Sequence, residues 1–131
     1  MNMEKNKSIE QCVVEDCIQS VNVDDNGQIV GILTFSADFP AFAGHFPEQP
    51  VLPAIVQLAA VRFLAAKYLG KQLLPVSVDR AKFKTMIGPE EQVAITIRLD
   101  QLDNDVTISF SITTDKGKAA SGAISCQIIN S

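Results

Sequence analysis

The sequence predicts an α+β domain in which an antiparallel sheet of about five to six strands wraps around one long central helix. Three observations carry this. The last third of the chain alternates apolar and polar residues with period two between short polar turns, the pattern of antiparallel strands with one buried face. From Ala54 to Leu69 the polar side-chain groups are only Gln57, Arg62, Lys67 and the Tyr68 hydroxyl, so that helix is apolar nearly all round and belongs inside the protein. Two strands precede the helix and four follow it, an order that implies an antiparallel sheet curled around a central helix.

The elements follow in order. Strands are expected at about 11–23 and 28–36, joined by Asp25-Asn26-Gly27, because Asn-Gly accepts positive φ at both positions of a tight hairpin. Pro53 opens the helix at its first turn and Gly70 closes it. A strand at about 74–86 is broken by Gly88-Pro89. Val93, Ile95, Ile97 and Leu99 then alternate with Gln92, Ala94, Thr96 and Arg98. After a turn at Leu102-Asp103-Asn104-Asp105, Val106, Ile108, Phe110 and Ile112 mark the next strand. Asp115-Lys116-Gly117 turns into a last strand that carries Ala120, Gly122, Ile124, Cys126 and Ile128 on one face. Two strands, a buried helix and further strands curled around it are the hot-dog arrangement.

At 131 residues the chain is expected to form a single domain over 1–131, with 1–8 flexible. Apolar residues at 47% exclude an intrinsically disordered chain. No uncharged apolar run reaches the ~18 residues of a membrane span, and the polar start MNMEKNKSIEQC is no secretory signal; a cytoplasmic location is expected. Cys12, Cys17 and Cys126 are an odd set without a C-x-x-C pair, which argues against a disulfide scaffold or a zinc knuckle. The net charge of −4 argues against general nucleic-acid binding. Its distribution is uneven. Residues 1–61 hold two basic side chains (Lys5, Lys7) against eight acidic ones, whereas 62–84 hold six (Arg62, Lys67, Lys71, Arg80, Lys82, Lys84) against Asp79 alone. Such a segment is either a solvated face or the place where an acidic partner docks.

Most enzyme motifs are missing: there is no G-x-S-x-G, Walker loop, G-x-G-x-x-G or H-E-x-x-H. His45 is the one histidine, which excludes a multi-histidine metal site. It lies in Phe42-Ala43-Gly44-His45-Phe46-Pro47-Glu48-Gln49-Pro50-Val51-Leu52-Pro53, directly before the helix, where prolines fix the chain path and Gly44 permits close backbone approach. Free N–H groups in the first helical turn can polarise a carbonyl oxygen beside that ring.

The run Gly44-His45-Phe46-Pro47-x-x-Pro50-Val51-Leu52-Pro53 resembles the signature of the 3-hydroxyacyl-acyl carrier protein dehydratases of the hot-dog fold. Ala81-Lys82-Phe83-Lys84 followed by Gly88-Pro89 is similar to the strand those enzymes carry after the helix, and Val56-Gln57-Leu58 is closer to the dehydratase-like relatives of aryl-polyene and lipid gene clusters. The resemblance covers about 25 to 125. It implies a cytoplasmic lyase of fatty acid or related lipid biosynthesis that works as a dimer, without cofactor or metal, on thioesters of acyl carrier protein or coenzyme A. By position, His45 becomes the general base that takes the proton next to the thioester carbonyl. Backbone at Ala54 and Gly44 holds the carbonyl oxygen, and Phe46, Val51, Leu52, Ile55, Leu58, Ala59 and Phe63 line the acyl tunnel. Arg62, Lys82 and Lys84 are assigned to the carrier.

One departure is serious. The helix carboxylate that protonates the departing hydroxyl in the family is replaced by Ala59, and the glutamine four residues later by Phe63. No other carboxylate lies between Pro50 and Lys71; Glu48 and Asp79 are the nearest stand-ins by sequence. Three readings stay open: a dehydratase-type lyase with a substitute acid, a non-catalytic acyl-thioester or carrier-binding module, and the histidine-donating half of a heterodimer.

Overall fold

A computed structural model describes residues 16–39, 42 and 51–129. Its elements are β1 (Ile18–Val23), β2 (Ile29–Thr34), α1 (Ala54–Leu69), β3 (Gln72–Phe83), β4 (Gln92–Leu102), β5 (Asp105–Thr114) and β6 (Gly117–Ile129). The six strands form one sheet in the order β1-β2-β4-β5-β6-β3, with every neighbouring pair antiparallel. The α+β class and the curled antiparallel sheet expected from the alternation are the observed architecture. Of the first expected strand, residues 11–15 lie outside the described residues.

Leu33, Ile95, Ile97, Ile108, Ile112 and Ile124 point from the inner face of the sheet and are almost wholly buried. Val56, Gln57, Ala60, Val61, Leu64 and Ala65 of α1 pack onto that face. Gly70 ends the helix, its N–H donating to the Ala66 carbonyl at 2.9 Å. Only half of the all-apolar helix is covered, however. Ile55 is 75% exposed and Tyr68 51%, so the apolar surround does not mean burial on all sides within one chain. Beside that bare side runs β3, an edge strand on which only Leu73 is buried.

Two local expectations are corrected. The β1–β2 hairpin does not use Asn26-Gly27 with positive φ at both positions: Gly27 alone has it, at 78°. Gly27 N–H donates to the Asp24 carbonyl, Asp24 N–H to the Gln28 carbonyl, and the Asp24 carboxylate accepts from Asn26 and Gln28 N–H at 2.9 Å. The aspartate side chain therefore stabilises a longer turn whose glycine closes it. The strand expected at 74–86 starts two residues earlier and stops at Phe83, because Lys84 and Thr85 N–H both turn to the single Ala119 carbonyl.

Candidate active site

The chain enters α1 through Val51, Leu52 and Pro53. Leu52 N–H donates to the Ile87 carbonyl at 2.7 Å, which ties this segment to the β3–β4 connection. From inside the helix, Gln57 Nε2 donates to the Leu52 carbonyl at 3.1 Å. Gln57 is the buried polar side chain of the core, and its Oε1 has no hydrogen-bond partner among the described residues. The sequence reading assigned it no role, although a lone amide within an apolar run was the available signal. It anchors the last residues of the segment that carries His45. His45 itself, with Gly44, Phe46, Glu48 and Cys12, lies outside the described residues.

The N-cap of α1 is Pro53, which makes no side-chain cap, and no acidic residue occupies the first turn. Among the described residues the N–H groups at the helix start, Ala54 among them, thus have no side-chain acceptor, and the positive end of the helix dipole is available to a ligand there. Alongside this start is a cavity of about 460 Å³. From the helix it is lined by Ile55, Val56, Leu58, Ala59 and Arg62, and from the sheet by Pro75, Val78 and Ile124. Its walls are apolar, with one cation.

Of the expected tunnel residues, the structure brings Ile55, Leu58 and Ala59 to this cavity. Leu52 is instead part of the core at 2% exposure, and Val51 and Phe63 are not in the lining. Phe63 lies under the guanidinium of Arg62, whose carbon sits 4.5 Å from the ring centre. Arg62 Nη1 also donates to the Leu73 carbonyl at 3.2 Å, so it is held at the cavity wall. Pro75 and Val78 were missed because the sequence gives no cue to the side β3 turns toward the helix.

Among the described residues, no carboxylate lines the cavity. The stand-in Asp79 faces the other way: its strand position is opposite Ala123, while Val78 opposite Ile124 takes the inner side. Asp79 is also exposed and pairs with Arg80 at 3.5 Å. The three residues assigned to a carrier separate as well. Arg62 lies on the inner side, Lys82 opposite Ser121 on the outer face, and Lys84 beyond the end of β3. Cys126, opposite Pro75 on β6, is buried and free. Burial pushes its thiol above the ordinary value, and the Arg62 charge opposes that rise.

A six-stranded antiparallel sheet around one helix, with an apolar cavity at the helix start, defines the hot-dog class. Residues 20–123 match the family model described as ApeI-like, ApeI dehydratase. The chain is 34% identical over 110 residues to the 3-hydroxyacyl-[acyl-carrier-protein] dehydratase FabZ of Rickettsia massiliae (strain Mtu5), across 76% of this chain and 74% of the relative. The chain belongs to the ApeI-like dehydratase family. Among solved structures it is similar to the dehydratase heterocomplex ApeI:P from Xenorhabdus doucetiae, with a TM-score of 0.72 and 24% identity over 84% of this chain and 96% of that one, a likeness that shows the fold. An uncharacterized protein from Erwinia carotovora subsp. atroseptica matches at a TM-score of 0.66 and 28% identity, over 86% and 93% of the two chains.

Proposed function

We propose that this chain acts on 3-hydroxyacyl thioesters of acyl carrier protein as a dehydratase-type lyase of fatty acid or related lipid biosynthesis, with His45 as the base and no acid on its own helix. The observation that carries this reading is the apolar cavity at the start of α1, bounded by Ile55, Leu58 and Ala59, in a chain of the dehydratase family. The cavity suits an acyl chain. The helix-start N–H groups suit the thioester oxygen, whose polarisation makes the neighbouring proton removable. His45 takes that proton, the bond from the β-carbon to the hydroxyl breaks, and a proton delivered to the leaving oxygen releases water. That last proton needs a donor, and Ala59 has none.

The ApeI:P match, a heterocomplex of dehydratases, favours a second reading in which a paralogous partner supplies the carboxylic acid and this chain supplies His45. Either assembly uses the bare side of α1 and the apolar edge strand β3. Ile55, Leu74, Val76 and Val78 are exposed there, and pairing two β3 edges removes an unpartnered edge and covers the cavity mouth. Expressed alone, the chain is a homodimer by this reading, and a single 14 kDa species at micromolar concentration in sedimentation argues against it.

Activity is tested by hydration of a trans-2-enoyl thioester, followed by loss of enoyl absorbance. The chain alone is expected to be slow, since loss of a general acid typically removes about 10²–10⁴-fold in rate. Ala59→Glu, with Phe63→Gln to accommodate it, is expected to raise turnover, and a further His45→Ala to abolish it. Binding of the thioester with no gain in the Ala59→Glu variant leaves the non-catalytic acyl-thioester module as the better account. Fast turnover by the unaltered homodimer refutes the missing acid.

A further inference from the structure

The outer face of the sheet carries a groove, separated from the cavity by the thickness of the sheet. This shallow groove of about 510 Å³ is flanked by Arg80 and Lys82 from β3 and by Arg98 from β4. Its floor is paved with hydroxyls: Ser109, Ser111, Ser121 and Thr96. The register places these groups in cross-strand rows. Lys82 is opposite Ser121, Ser121 opposite Ser111, and Ser111 opposite Thr96; Arg98 is opposite Ser109. Neither Lys82 nor Arg98 has an ion-pair partner among the described residues, while Arg80 is shared with Asp79 at 3.5 Å.

The backbone is bent to build this face. Between Asp79 and Lys82 the β3–β6 register slips by one residue. In an unbroken strand Val78, Arg80, Lys82 and Lys84 share one side, the side of the helix. The bulge reverses this after Asp79, so that Lys82 turns outward and Phe83, opposite buried Ala120, turns inward. Arg80 takes a left-handed φ of 53° within the bulge, a conformation that is unfavourable for a long side chain. Opposite it, a Cβ on Gly122 would stand 2.9 Å from the Ala81 backbone. The bulge therefore needs a glycine across from it. Three cations over a hydroxyl floor, in a chain of net charge −4, form a local attractor for compact anions.

We infer that this outer groove binds a phosphate-bearing small molecule, its oxygens taking hydrogen bonds from the Ser and Thr hydroxyls and charge from Arg80, Lys82 and Arg98. Short serines leave the floor open to a tetrahedral oxyanion, and arginine offers the donor fork that matches phosphate. The phosphate can be free or carried on a cofactor such as coenzyme A. This site is independent of the lyase reading, since it shares no residue with the cavity.

The experiment is titration of the intact protein with inorganic pyrophosphate at low ionic strength, followed by amide chemical shifts and calorimetry. Saturable binding is expected, with shifts centred on residues 96–98, 109–111 and 121–123. Lys82→Gln with Arg98→Gln is expected to weaken it about tenfold, two solvent-screened charge pairs at the usual size, and raised salt to weaken it further. Lys118→Gln, elsewhere on the surface, is expected to leave it unchanged. Coenzyme A binding more tightly than pyrophosphate at the same shifted residues identifies a carried phosphate; equal or weaker binding identifies a free one. Absence of binding, shifts at the cavity residues instead, or equal affinity in the double variant overturns the inference. So does binding of an acidic carrier protein at this face with none of pyrophosphate.

Discussion

β5 and β3 lie on either side of β6, and they differ in almost everything that a sequence pattern records. β5 runs opposite β6 with an unbroken register from Asp105 to Ile112, and its inward residues Val106, Ile108, Phe110 and Ile112 are all buried. β3 slips register twice over a similar length, between Pro75 and Ser77 and between Asp79 and Lys82, and is exposed from Leu74 to Phe83. A strand in mid-sheet is held by ladders on both edges and by the core beneath it, so its register is strongly specified. An edge strand lacks one ladder, so it tolerates bulges that re-aim side chains. β5 is a strand of the core. β3 borders the cavity on one face and the basic groove on the other, with an edge between them that is unpaired among the described residues.

The largest contrast is expected in stability. Ile108→Ala removes a fully buried side chain from β5 and is expected to destabilise the protein by about 3 kcal/mol. Val78→Ala on β3, where the side chain is 46% exposed, is expected to cost under about 1 kcal/mol in the monomer. Chemical denaturation of both variants at low protein concentration decides this. Equal losses mean that the β3 face is covered even in the monomer.

Gly122→Ala probes the bulge itself. A Cβ there meets the Ala81 backbone at 2.9 Å and the Phe110 ring at 3.2 Å, and backbone cannot move aside as a flexible side chain can. A loss of about 2 kcal/mol is expected, with broadened amide signals at 79–83. A neutral outcome means that β3 readily gives up its register, and with it the outward placement of Lys82.

The difference between the two strands also explains what could be read from the chain. β4 and β5 alternate apolar and polar residues along their buried lengths, so their strands, turns and buried residues follow from period two. β6 keeps that period on its inner face from Ala120 to Ile128, although Ala119 and Ala123 are buried as well. α1 was legible from its apolar run between Pro53 and Gly70, and the fold class from the order of these elements. At β3 the pattern misleads: a regular strand puts Arg80, Lys82 and Lys84 together, whereas the bulge parts Lys82 from Val78 and turns them to opposite faces. Pro75 and Val78 on the cavity wall, and Arg98 facing Lys82 across the outer groove, join through sheet order, which no local signal encodes. Ala59 as the place of a missing acid rests on the family resemblance alone, since no pattern within the chain marks that position.

A smaller effect is expected at Arg80. Its φ of 53° is one that glycine adopts freely, whereas an L-residue pays roughly 1 kcal/mol there. Arg80→Gly therefore relieves native strain while adding freedom to the unfolded chain, and the two nearly cancel. A change within about 0.5 kcal/mol is expected, against the larger loss that glycine causes in a regular strand such as β5 at Thr107. A loss at Arg80 as large as at Thr107 means that the side chain contributes to the folded state through contacts beyond its exposed pair with Asp79.

The smallest effect concerns Cys126, which lies on β6 between the two strands, paired with Pro75 on one side and Val106 on the other. Burial raises the pKa of its thiol above the ordinary 9.0, with the Arg62 charge pulling the other way. The folded state therefore holds this proton more tightly than the unfolded chain does. Its contribution to stability is complete below the ordinary thiol value and is lost as pH rises from there through the raised one. The measurement is a difference, so that contributions common to both proteins cancel: unfolding free energy of the unaltered protein minus that of Cys126→Ala, from pH 7.5 upward. The difference is expected to be flat near neutral pH and to shrink at alkaline pH. Its growth with pH would mean that the Arg62 guanidinium outweighs burial, which places Arg62 closer to the sheet than to the cavity mouth and weakens its part in the apolar site.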